Sequence, residues 1–224
     1  MRALYDRCMD QQAVLMAEIE AETRDTARWT GRANLSPRVT AALARVRREA
    51  FVPSQSTGAA YANRPLPIGH GQTISQPFVV ALMTELLDLE PDDRVLEVGT
   101  GSGYQAAVLA ELVRTVFSVE VIPELARRAA AALAAEGCTN VALCTGDGGL
   151  GWPEQAPFDA IIVTAAAADI PPALIQQLCP GGRMVIPVGP PYGDQHLLLL
   201  TKDAAGTVTQ RNVLPVAFVP LTGG

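Results

Sequence analysis

The stretch Val95-Leu96-Glu97-Val98-Gly99-Thr100-Gly101-Ser102-Gly103-Tyr104 decides the fold. A short, apolar, β-rich run passes straight into glycines at every second position, and the helix-forming run 104–113, YQAAVLAELV, follows at once. Strand, glycine turn and helix in that order open an α/β sheet whose ligands sit at the carboxyl edge of the strands. The glycine spacing then narrows the ligand. A dinucleotide fingerprint places its third glycine three residues after the second, whereas Gly103 follows Gly101 after only two. A phosphate-binding P-loop is excluded more firmly. No Gly-Lys-Ser/Thr follows, and Glu97 just before the loop would repel a pyrophosphate.

Downstream of the loop, short apolar runs alternate with helical ones. Strands are expected at 94–98, 115–120, 140–144, 159–164 and 183–188, with helices between most of them, one clearly framed by Pro123 and Gly137. Nearly continuous apolar strands are what a parallel sheet covered on both faces requires. Two further runs, 196–202 and 213–221, are joined by DAAGT (203–207), which reads as a hairpin turn closing the sheet with an antiparallel pair. Upstream, the first 28 residues read as a helix broken at Thr30–Asn34. Ser36-Pro37 reads as an N-cap and first helical position, and a third helix is expected from Pro77. Residues 52–72 hold proline and glycine too densely for regular structure and read as a loop able to fold over a ligand as a lid. The expectation is one domain over 1–224: a helical cap (1–50), an active-site loop (51–76) and an α/β core (77–224).

Composition excludes other classes. The 224 residues are 49% hydrophobic and 18% charged, which fits a folded globular chain and not a disordered one. A net charge of −6 provides no electrostatic footprint for nucleic acid or for an anionic membrane. Cys8, Cys138, Cys144 and Cys179 form no C-x-x-C pair, and the only histidines are His70 and His196, so no metal site is expected. The cysteines read as reduced, mostly buried thiols. Arg2, Asp6, Arg7 and Asp10 interrupt any secretory apolar segment, and no apolar run is long enough to span a membrane. A cytoplasmic monomer is expected.

Two acidic positions follow the loop at successive strand ends. Glu120 ends the second strand about 20 residues beyond it, where an acid can accept hydrogen bonds from ribose hydroxyls. Gly146-Asp147-Gly148 places a carboxylate beyond the third strand, beside the expected adenine position. Singly, Glu120 reads as a solvated carboxylate and Gly-Asp-Gly as a turn; together with the loop they gather on one sheet edge. The pattern Glu97-x-Gly99-x-Gly101-x-Gly103 resembles the opening of the cofactor site in S-adenosylmethionine-dependent methyltransferases. That cofactor is a phosphate-free cation, which an acidic rim suits.

More of the chain carries a narrower resemblance. The stretches REAFVP (48–53), PLPIGHGQTISQP (65–77), VLEVGTGSGYQAAVLAEL (95–112), GDGGLGW (146–152), APFDAIIVTAAA (156–167) and VAFVPL (216–221) occur in order. With them the chain, from about Ser36 to Gly223, resembles the protein-L-isoaspartate (D-aspartate) O-methyltransferases. The resemblance implies a Rossmann-like fold with a mostly parallel seven-stranded sheet. It also implies methyl transfer from S-adenosyl-L-methionine, leaving S-adenosyl-L-homocysteine, to the free carboxylate of L-isoaspartyl or D-aspartyl residues in damaged proteins and peptides. It assigns Ser75 as the active-site residue. Cofactor contacts fall on Thr73, Ile74, Ser75, Glu97, Gly99, Thr100, Gly101, Ser102, Gly103, Glu120, Asp147, Gly148 and Thr164.

The acceptor side departs from the family pattern at one position. Members typically carry an acid two residues after a loop tyrosine, and here Tyr61 is followed by Ala62 and Asn63. The alternative acceptor is therefore a carboxylate on a biosynthetic peptide. For either acceptor, a carboxylate of pKa near 4 is ionised at neutral pH, so no general base is required. Ser75 is then a hydrogen-bond donor that orients the acceptor and not a nucleophile. The competing role for Ser75 is the N-cap of the helix beginning near Pro77.

Overall fold

A computed structural model of the protein describes residues 2–222, with side chains from 11 to 222. Helices α1 (Arg2–Thr30) and α2 (Pro37–Arg45) lead the chain, and Ser36 caps α2 by accepting a hydrogen bond from Val39 N at 3.3 Å. Pro37 at the first helical position loses nothing, because its missing N–H would have had no partner there.

The segment 52–72 is more ordered than its composition suggests. Short 3-10 turns cover Arg48–Phe51 and Ser54–Ala59, and an antiparallel hairpin follows, β1 (Leu66–Gly69) with β2 (Gln72–Ile74). The two connecting residues, His70 and Gly71, both hold positive φ, +54° and +71°. That is the tight mirror-image turn whose twist matches paired strands. Proline and glycine here punctuate a hairpin instead of dissolving it. Helix α3 (Pro77–Leu86) starts where the sequence predicts.

The main sheet takes β3 (Arg94–Val98), β4 (Thr115–Glu120), β5 (Val141–Thr145), β6 (Phe158–Val163), β7 (Leu178–Val188), β8 (Gln195–Lys202) and β9 (Val208–Val216). Their spatial order is β5-β4-β3-β6-β7-β8-β9. The pairs from β5 to β7 are parallel, and β7–β8 and β8–β9 are antiparallel. Helices α4 (Tyr104–Ala110), α5 (Pro123–Ala135) and α6 (Pro172–Gln177) connect the parallel strands. α6 ends at Gln177, because Leu178 already pairs with Phe158 in the sheet.

Alternation along each strand divides the core between two faces. Val95 belongs to the cluster packed under α3 and α4, while Leu96 and Val98 join Phe117, Ile161 and Val163 on the other side. Full burial of each such side chain contributes about 1.5–3 kcal/mol. Trp152 packs edge-on against Phe117, with ring centroids 5.8 Å apart, as part of this second face. Cys138, Cys144 and Cys179 are half-buried, less enclosed than expected, and the Cys8 side chain lies outside the described ones.

The last strand differs most from expectation. β9 starts at Val208 and ends at Val216, so the predicted strand 213–221 is only partly a strand. Beyond Val216 the buried Gln195 side chain takes over the ladder. Its Nε2 donates to Phe218 O at 3.1 Å and its Oε1 accepts from Phe218 N at 2.6 Å. The chain then crosses to β6, where Ala166 N donates to Val219 O at 2.8 Å and Leu221 N donates to Ala166 O at 2.7 Å. Pro215 and Pro220 have no N–H for a continuous ladder.

Candidate functional site

In the strand order, the connections run outward from β3 toward β4 on one side and β6 on the other. The loops after β3 and β6 therefore diverge and leave a crevice at their carboxyl ends, where open α/β sheets bind ligands. The glycine loop Gly99–Ser102 forms its floor. The 164–165 turn after β6, the β2 end and the returning segment 219–222 form its walls.

Local chemistry fixes the loop. Gly99 has φ +96°, and a Cβ there would lie 2.5 Å from Thr164 Oγ1. That hydroxyl donates to Gly99 O at 2.6 Å, stitching the β3 and β6 ends together. Glu120 is 5% exposed; it accepts from Gly101 N at 2.7 Å and from Ile122 N at 3.0 Å. A carboxylate so held is preorganised at the crevice wall. Among the described residues it is the sole charged group lining the crevice, with no lysine or arginine beside it. Such a donor set suits a cationic, phosphate-free ligand and opposes a nucleotide phosphate.

Of the residues expected to bind cofactor, Thr73, Ile74, Ser75, Gly99, Thr100, Gly101, Ser102, Glu120, Gly148 and Thr164 all line this crevice. Glu97, Gly103 and Asp147 do not. Glu97 is wholly buried, because the period of two along β3 turns its side chain onto the sheet face shared with Val95 and covered by α4, and not into the crevice. Burial pushes its pKa up to about 8, opposed by the hydrogen bond with Ser118. Ser118 Oγ in turn meets Thr100 Oγ1 at 2.6 Å, so Glu97 supports the loop from beneath and is not an acidic rim. Gly103 turns the chain into α4 at φ +90°. Asp147 accepts from Gly149 N at 2.8 Å and so caps its own turn.

Ser75 belongs both to the crevice and to a second groove beside it, bounded by Phe78 and Val79 of α3, by 214–218 and by Glu22 of α1. It is not the helix cap. Gln76 holds the N-cap position of α3 without a side-chain cap bond, and Asn63 Oδ1 accepts from Phe78 N at 3.0 Å instead. Ser75 Oγ has no hydrogen-bond partner among the described residues and is half-buried where the two spaces meet. Its backbone is fixed by Arg48, whose Nη2 donates to Ser75 O at 2.8 Å.

Three supporting residues have roles that sequence reasoning missed. Arg48 was visible only as part of REAFVP. Asn63 was visible only as a missing acid. Glu22 sits in the first helix, where nothing marked it; it accepts from Asn63 Nδ2 at 2.8 Å and from Gln76 Nε2 at 3.1 Å.

Residues 27–224 match the family model of protein-L-isoaspartate (D-aspartate) O-methyltransferase. The chain belongs to this family. It is 57% identical over 213 residues to protein-L-isoaspartate O-methyltransferase 2 of Syntrophobacter fumaroxidans, covering 95% of this chain and 86% of the relative. To the Polaromonas sp. protein of the same name it is 56% identical over 209 residues, covering 93% and 99% of the two chains. Among solved structures, a protein-L-isoaspartate O-methyltransferase superposes with TM-score 0.81 at 27% identity, over 95% of this chain and 66% of that one. A Plasmodium falciparum chain assigned to the same enzymes, solved with S-adenosyl-L-homocysteine, gives TM-score 0.75 at 25% identity, over 84% and 92%. The mostly parallel seven-stranded sheet with its antiparallel C-terminal strands is the methyltransferase fold that the family resemblance implied.

Proposed function

We infer that this chain transfers the methyl group of S-adenosyl-L-methionine to the free carboxylate of L-isoaspartyl, and D-aspartyl, residues in damaged proteins, opening their repair. One observation carries the reading beyond family membership. A serine hydroxyl with no hydrogen-bond partner among the described residues lies where a crevice suited to a cationic nucleoside meets a mostly apolar groove in which we place the peptide. The identities of 51–58% to curated enzymes named for isoaspartate favour this acceptor over a biosynthetic peptide carboxylate.

Glu120, the backbone of Gly99–Ser102, Gly148 and Thr164 would hold the cofactor, with Thr73, Ile74 and Ser75 closing the side toward the acceptor. When bound, S-adenosyl-L-methionine supplies an electrophilic methyl group on a positively charged sulfur. The acceptor carboxylate is already ionised at neutral pH, and no histidine lines the crevice among the described residues. Ser75 Oγ–H donates to that carboxylate and fixes which oxygen faces the cofactor. An anion and a cation neutralise each other as the reaction advances, so excluding water favours it. The β1–β2 hairpin and the 219–222 segment provide that exclusion. Orientation of this kind is worth several kcal/mol.

The same reading takes the chain as a cytoplasmic monomer that does not act on nucleic acid. The net charge of −6 supports the last of these, since it offers no electrostatic footprint for a polyanion; among the described residues no helix is long and apolar enough to cross a membrane.

Ser75→Ala tests the assignment. Turnover of an isoaspartyl peptide falls at least tenfold; removing one donor from an oxyanion hole costs about 100- to 1000-fold. The dissociation constant for S-adenosyl-L-homocysteine changes less than about threefold. Unchanged turnover would remove Ser75 from the reaction.

A further inference from the structure

We propose that Glu22 is a specificity-determining residue of the acceptor groove, selecting isoaspartyl peptides that carry a cationic side chain next to the damaged residue. The inference rests on the methyl-transfer reading above and deepens it.

The groove that opens beyond Ser75 is mostly apolar, walled by Phe78, Val79, Val216 and Phe218. Among the described residues that line it, Glu22 is the only charged one. Its carboxylate forms no ion pair among them; its partners are the neutral side-chain amides of Asn63 and Gln76. Those amides satisfy hydrogen-bonding capacity and fix the direction of the carboxylate, yet leave its charge uncompensated. Low-polarity walls make such a charge felt more strongly than one in open water.

The occupant brings an anion of its own. An isoaspartyl residue presents a free carboxylate that must reach Ser75, at the junction of groove and crevice. A peptide whose neighbouring side chain is acidic would set three negative groups in one groove, whereas a lysine or arginine there would offset Glu22. Charge complementarity of this kind sorts partners more than it adds raw affinity. Glu22 lies on α1, ahead of the stretch 27–224 that matches the family model. The selection is therefore contributed by the N-terminal helix.

The experiment compares three isoaspartyl peptides differing only beside the isoaspartate, with Lys, Ala or Glu, in wild type and in Glu22→Gln. Glutamine keeps an oxygen to accept from Asn63 and Gln76 and removes the charge. The readout is the Lys-to-Glu ratio of kcat/KM, in which any general change in the activity of the variant cancels. The ratio is roughly tenfold in wild type and falls below about threefold in Glu22→Gln. As a check that needs no variant, the wild-type ratio shrinks between 0.05 and 0.5 M salt, roughly the range over which the screening length falls well below 10 Å. A ratio near one in wild type, or one that Glu22→Gln leaves unchanged, overturns the proposal while the methyl-transfer reading stands. No turnover of any peptide by wild type overturns both.

Discussion

The guanidinium of Arg48 donates through Nη2 to the carbonyl oxygen of Ser75 at 2.8 Å. The same group donates through Nε to Ala60 O at 2.9 Å and lies 4.8 Å from the centroid of the Tyr104 ring. Arg48 is fully buried, and burial lowers its pKa to about 10, opposed chiefly by Tyr104. It therefore stays charged at neutral pH. One buried cation thus ties the residue expected to orient the acceptor to the 3-10 turns before it and to the first turn of α4.

Arg48→Lys keeps a charge but loses the planar fork that spans two carbonyls. We expect a loss of about 2–4 kcal/mol in urea unfolding, because Ser75 O or Ala60 O is left without a buried donor. We also expect turnover to fall in the fraction that remains folded. A variant with the wild-type unfolding midpoint would show that the fork is dispensable.

Asn63 bridges α1 and α3, accepting from Phe78 N and donating to Glu22. Asn63→Ala removes a helix cap and costs about 1 kcal/mol, with the lost Glu22 contact adding to it. Asn63→Asp keeps the acceptor for Phe78 N but sets two carboxylates against each other. Thermal melts at neutral pH should place it below wild type; an Asp variant as stable as wild type would mean that Glu22 is not its partner in solution.

These contacts show what the sequence made legible and what it hid. The glycine loop, the alternation after it and Glu120 were readable because they depend on local spacing: period two along strands, glycines where a Cβ would collide. The His70-Gly71 turn was readable in principle, as a dipeptide between two short strand-like runs, but the surrounding prolines masked it. Glu97 was misplaced because its position in the chain says it adjoins the loop, while the direction of its side chain depends on the strand's phase. Arg48, Asn63 and Glu22 act across separations of 12 to 54 residues, and no local pattern marks such pairings.

Glu97 makes stability depend on pH in a definite direction. Its folded pKa, about 8, exceeds the ordinary carboxylate value of 4.5. The folded state therefore holds a proton that the unfolded state releases, and stability from this group is full below about pH 4.5 and lost as pH rises through 8. Glu97→Gln cannot lose that proton. Its stability relative to wild type should climb by a few kcal/mol between pH 5 and 8 and then level off. A difference that stays flat across that range would show that Glu97 is ionised when folded.

Glu120 is held by two backbone donors at the crevice wall, and the proposed reading has it accept from the ribose hydroxyls of the cofactor. Glu120→Gln should weaken S-adenosyl-L-homocysteine binding about 10- to 100-fold in calorimetric titration, the loss of charge-assisted hydrogen bonds worth about 1.5–3 kcal/mol. Wild-type affinity in that variant would move the sugar elsewhere in the crevice.

The most direct measurement is methyl incorporation from radiolabelled S-adenosyl-L-methionine into two peptides of identical sequence, one with L-isoaspartate and one with L-aspartate at the same position. The account predicts label in the isoaspartyl peptide alone, as a base-labile ester, with S-adenosyl-L-homocysteine inhibiting competitively against the cofactor. Equal labelling of both peptides, or of neither, would contradict it.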